Sequence, residues 1–89
     1  MRMRKGVIFM LIDDMKYRYV FGHEKLITRE HLYELHRWVY TSRIWSINVL
    51  TRLHGDLWYM YTDEPLTQLM IDNLFEQTGI AIYKKGEVL

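Results

Sequence analysis

The sequence predicts an α+β fold: a single antiparallel or mixed sheet of about five strands with two helices on one face, in the order ββαββαβ. Three observations lead there. Short apolar or alternating runs, each closed by Gly or Asp, read as strands. Two longer stretches carry apolar residues at helical spacing behind a capping residue. A single proline and five glycines in 89 residues leave few breaks, so most of the chain is expected to be regular. That length gives room for one core, and residues 1–89 are read as one domain.

The first strand is Gly6 to Ile12, an apolar run bounded by Gly and by Asp13-Asp14. Lys16 to Phe21 alternates and reads as its return strand. Tyr17, Tyr19 and Phe21 fall on one face, Lys16, Arg18 and Val20 on the other, and Gly22 closes the element. Thr28 caps a helix running to about Tyr40, whose inner stripe is Leu32, Leu35, His36 and Val39. A second hairpin follows, with strands Ile44 to Arg52 and Leu57 to Tyr61 about a turn at His54-Gly55-Asp56. In its first strand Trp45, Ile47, Val49 and Thr51 share a face. Asp63 is expected to cap the second helix, with Glu64 and Pro65 in its first turn and Gly79 as its stop. Its core face is Leu66, Leu69, Met70, Leu74 and Phe75. Ile80 to Tyr83 is the last strand before a charged tail. Two arrangements fit this string: a ferredoxin-like βαββαβ core with one extra strand, or two ββα halves of roughly 40 residues.

Two helices of this length cover one face of such a sheet, yet the first strand is apolar on both. A second face that meets a partner, or that exposes an aromatic patch, resolves the mismatch. The chain is rich in the residue types of interface centres, with three Trp, seven Tyr and six Met. Charge is uneven: residues 1–45 hold nine basic and five acidic groups, residues 46–89 three and six. Arg2, Arg4, Lys5, Lys16 and Arg18 cluster on the first hairpin, whereas no Lys or Arg falls between Leu53 and Tyr83.

Catalytic signatures are missing. Without cysteine there are no thiolate nucleophiles or Cys-based zinc sites, and a reducing, cytoplasmic location is expected. The basic start followed by Val7 to Ile12 resembles the opening of a signal peptide, but Asp13 ends the run after six residues. No run approaches the roughly 20 apolar residues of a membrane helix, so no membrane partner is expected. His31 and His36, five apart with Glu34 between them, match no zinc signature, and His36 reads as a core histidine. Asp13-Asp14, with His54 and Asp56 at the other turn, would make a hydrolytic metal site only if the two turns met; Asp pairs are also ordinary turn formers. No Gly-rich loop cradles a phosphate, and Asp63-Glu64 at a helix start repels anions there. No catalytic residue, cofactor or metal is therefore expected.

The functional expectation is a non-enzymatic interaction module. It binds another protein or itself, as a homodimer, through an aromatic sheet face and the basic first hairpin, with Arg4, Lys5, Tyr17, Arg18, Tyr19 and Trp58 as contact residues. Small size without a catalytic motif suits an accessory or inhibitory protein of the kind phages encode. The alternative is a single-stranded nucleic-acid binder that stacks bases on Tyr17, Tyr19 and Trp58 or Tyr59 beside Arg and Lys. Against it, Gly55-Asp56-Leu57-Trp58-Tyr59 has an acid where the basic-Gly-aromatic RNA-binding pattern has small or basic neighbours.

Overall fold

A computed structural model describes residues 15–41 and 46–89. The elements are β1 (Tyr17–Gly22), α1 (Arg29–Thr41), β2 (Val49–His54), β3 (Leu57–Thr62), α2 (Gln68–Thr78) and β4 (Ala81–Val88). The strands form one antiparallel sheet in the order β2-β3-β1-β4. Because β1 and β2 are both antiparallel to β3, they run in the same sense with β3 between them. By the same logic β1 separates β3 from β4, which share a sense. Each helix therefore links two co-directional strands across one intervening strand, the split βαβ arrangement of the ferredoxin-like fold. The α+β class and the two helices on one face agree with the sequence. The first expected strand, Gly6 to Ile12, lies outside the described residues. β1 has both hydrogen-bonding edges taken, by β3 and β4, so it is a central strand of the sheet.

The core lies between the sheet and the helices. Leu35 and Trp38 of α1 and Met70 and Leu74 of α2 pack on Tyr19, Phe21, Val49, Met60 and Ile80. Trp38 buries its ring and satisfies its polar edge across the helix pair, Nε1 donating to Asn73 Oδ1 at 2.8 Å. His36, placed on the core stripe from sequence, is exposed. The inner stripe runs through Leu32, Leu35, Trp38 and Val39, and one residue's rotation past Leu35 carries His36 to the side. Leu69 and Phe75 are likewise exposed, at 68% and 57%, so α2 turns a narrower stripe inward than expected.

Both helices start on a side-chain cap whose return partner is not a carboxylate. In α1 the Thr28 hydroxyl accepts from His31 N at 3.3 Å, and the His31 ring accepts from Thr28 N at 3.0 Å. In α2 the cap is Thr67, not Asp63: its hydroxyl accepts from Met70 N at 3.2 Å, and its own N–H points at Met70 Sδ. Asp63 has another task. Its carboxylate accepts from Asn48 N at 2.9 Å and from Asn48 Nδ2 at 2.7 Å, fastening the segment before β2 to the end of β3. Gly79 ends α2 as expected, at a φ of 78° and with its N–H on Phe75 O.

The β2–β3 hairpin turns on Gly55 and Asp56 alone, with His54 opposite Leu57. Gly55 has a φ of 63°, suited to the glycine-first type II′ turn. β2 begins at Val49, later than expected, while Ile44 and Trp45 lie outside the described residues. β4 extends through the charged tail to Val88, because backbone pairing with β1 continues to Tyr17 opposite Val88.

Tyr19 of β1 ties these elements together. It is 4% exposed, and its hydroxyl accepts from Leu66 N at 2.7 Å in the connection to α2. Its ring passes over Gly86 of β4, where a Cβ would stand 2.6 Å from ring carbons. Neither partner can yield, so Gly86→Ala is expected to cost about 1–3 kcal/mol by overpacking. Chemical denaturation measures this; a change within a few tenths of a kcal/mol contradicts the assignment.

Candidate interaction face

Alternation along β1 sends Tyr19 and Phe21 to the helices and leaves Arg18 and Val20 on the opposite face. Register transmits that parity across the sheet. Arg18 stands opposite Tyr61 and Val20 opposite Tyr59 on β3. Leu50, Arg52 and His54 of β2 stand opposite Tyr61, Tyr59 and Leu57. On the other side Arg18 faces Glu87 of β4. Among the described residues no helix lies on this face.

A groove of about 730 Å³ runs across it, lined by Arg18, Val20, Leu57, Tyr59, Tyr83, Gly86 and Glu87. Arg18 forms part of its wall. Its Nε and Nη2 donate to Glu87 Oε2 at 3.2 and 2.7 Å, and its guanidinium lies 5.1 Å from the centroid of the Tyr59 ring. The hydrogen bond to Glu87, then one to Tyr61, holds the guanidinium pKa above its ordinary value. Its charge is thus constant at any working pH, and it is matched locally by Glu87. The pair is solvent-accessible, with side chains 32% and 57% exposed, so its contribution to stability is small. Tyr59 meets Tyr61 at 6.4 Å between centroids and His54 edge-on at 6.4 Å, so the rings brace one another.

The residues named from sequence divide sharply. Arg18 lies on the open face. Tyr17, Tyr19 and Trp58 lie on the helix-covered side, and Trp58 packs with Phe21 at 6.0 Å. Tyr19 is thereby corrected: a ring 4% exposed, with its hydroxyl engaged, presents no stacking surface. Arg4, Lys5, Asp13 and Asp14 lie outside the described residues. His54 and Asp56 are exposed at the hairpin tip. Sequence reasoning missed Tyr61, Tyr83 and Glu87. The alternation Trp58, Tyr59, Met60, Tyr61 contained the signal, but both parities are aromatic or apolar, so it did not declare which set faced inward.

Elsewhere, a cleft of about 440 Å³ between the helix ends is lined by Glu34, Arg37, Trp38, Thr41, Gln77 and Thr78. No group of three or more His, Asp or Glu suited to a metal occurs among the described residues, and no helix among them is long and apolar enough to cross a membrane.

Fold and face together define a small ferredoxin-like α+β domain with a tyrosine-rich open sheet face. Comparison with protein-family models, with curated proteins and with solved structures finds no match to this chain.

The groove floor depends on Gly22, where a Cβ would collide with the Tyr83 ring. Unlike Tyr19, Tyr83 is 62% exposed and free to swing outward. Gly22→Ala is therefore expected to displace the Tyr83 ring while changing stability by less than about 1 kcal/mol. Ring shifts in NMR spectra and a denaturation curve test this; a loss as large as that of Gly86→Ala means the Tyr83 ring is pinned.

Proposed function

We propose that this domain is a non-enzymatic interaction module whose open sheet face binds a protein surface, that of a second copy of this chain included. The observation that carries the reading is the engagement of Arg18 between the Glu87 carboxylate and the Tyr59 ring. Nucleic-acid stacking needs an accessible ring face beside cations free to meet phosphate. Here the guanidinium covers the ring it would have flanked, and its charge is matched on the protein. What remains, with Arg52 beside it on β2, is a surface of Tyr, Leu, Val and Arg, the chemistry of protein interface centres. Mutual bracing of Tyr59, Tyr61 and His54 lowers the entropy lost when those rings are fixed in a complex.

Replacing Tyr83 with a photoreactive phenylalanine analogue, in the source cells, tests the reading. A discrete protein adduct, lost with Tyr59→Ala and retained in nuclease and high salt, is expected; the same group at Tyr40 on α1 should give none. A self-adduct identifies the partner as a second copy. Adducts removed by nuclease, or formed equally from position 40, overturn it.

A further inference from the structure

Where β1 hands the chain to α1, the rings of His23 and His31 stack, with centroids 4.0 Å apart and planes 20° from parallel. Each ring uses Nδ1 as an acceptor for a backbone N–H. His31 Nδ1 takes Thr28 N at 3.0 Å, and His23 Nδ1 takes Lys25 N at 3.1 Å. A backbone amide only donates, so both Nδ1 atoms are unprotonated and both rings carry their proton on Nε2. The stack reaches a third element: a Cβ on Gly79, at the end of α2, would stand 2.7 Å from His23 Nε2. The pair thus clasps the end of β1, the start of α1 and the end of α2.

We infer that this histidine stack is a proton-sensitive clasp that opens as pH falls through the range in which imidazole becomes charged. Protonation at Nδ1 turns an acceptor into a donor, so the bonds from Lys25 N and Thr28 N are lost; His31 Nδ1 then has only the Thr28 hydroxyl, 3.3 Å away and already accepting from His31 N, to turn to. A charge on both rings also sets two cations about 4 Å apart. Other charged groups nearby are Glu24 and Lys25 in the loop, Arg29, Glu30 and Glu34 on α1, and Glu76 on α2. All are exposed, and among the described residues none forms an ion pair with either ring. The remaining neighbours on the last turn of α2, Gln77 and Thr78, are neutral. The sign follows: the neutral pair belongs to the closed form, so the clasp is complete above this pH range and lost below it.

Opening releases the loop from His23 to Thr28. Leu26 in that loop is already 87% exposed, while Ile27 packs against the core, so release loosens one corner of the domain without dismantling the sheet. Amide exchange of the 15N-labelled protein at pH 7.5 and 5.0, as protection factors corrected for intrinsic rate, tests this directly. Thr28 and Lys25 should lose roughly tenfold or more in protection at pH 5.0, while Tyr19 and Met60 hold theirs. His31→Glu supplies an ionised acceptor to Thr28 N throughout this range and should abolish the loss at Thr28; His36→Gln, away from the stack, should leave it intact. Equal protection of Thr28 at both pH values in the unaltered protein overturns the inference. So does a loss that persists in His31→Glu or that spreads to Tyr19 and Met60.

Discussion

The sheet takes its form from one packing constraint: the Tyr19 ring occupies the space that a side chain at position 86 would need. β1 and β4 pair with register shifts around that point, and the shifts let β4 bend past the ring. On the far side the tyrosine hydroxyl holds Leu66 N, which fixes where the chain leaves β3 to begin α2. Three segments distant in sequence therefore meet on one residue of the central strand. The parity of β1 is locked with it, since a slip of one residue would drive Arg18 into the core and Tyr19 out of it. The composition of the open face depends on that lock.

Electrostatics then decide the character of the face. The basic excess of the first half of the chain suggests a phosphate-facing hairpin, but among the described residues its representative on the open face is Arg18, and Glu87 stands directly opposite on β4. In β1–β4 pairing the opposite-charge neighbours are cross-strand partners, the geometry in which such pairs help a sheet most. The result is an aromatic surface on which Arg18 is matched by Glu87, with Arg52 of β2 opposite Tyr59.

Much of the fold was legible because local signals agreed. Gly79 and Gly55 marked a helix end and a turn for the reason that both positions require positive φ. Alternation in β1 placed Tyr19 and Phe21 together correctly. Failures came where two chemistries compete for the same residue type. Asp63 resembles a helix cap, but a carboxylate also serves to bridge two chain segments, and Asn48 was the partner it found. Leu69 and Phe75 resemble core residues, yet α2 has only the space beneath Met70 and Leu74 to fill. Tyr17, Tyr19 and Trp58 fall on the helix-covered side, away from Arg18: the three aromatic residues of β1 share the parity opposite Arg18, and β3 carries large side chains on both parities. Hydrophobic alternation fixes register only when the two faces differ. Glu87 was unreadable for a different reason: its meaning comes from a strand pairing 69 residues away in sequence.

The two helix starts show how an identical backbone task can be given different sensitivities. Each Thr caps with its hydroxyl, and each needs a third-position side chain to accept its own N–H. In α2 that acceptor is the Met70 thioether, a weak acceptor with no proton to gain near neutrality. Met70 is itself buried in the core, so packing as well as hydrogen bonding secures this helix start. In α1 the acceptor is an imidazole, stronger while neutral and abolished by one proton. The sheet and α2 are therefore held by interactions indifferent to mild acid, whereas the start of α1 is held by one that is not. Any response to pH in this range should accordingly begin at the His23–Thr28 loop, with the paired backbone of the sheet left in place.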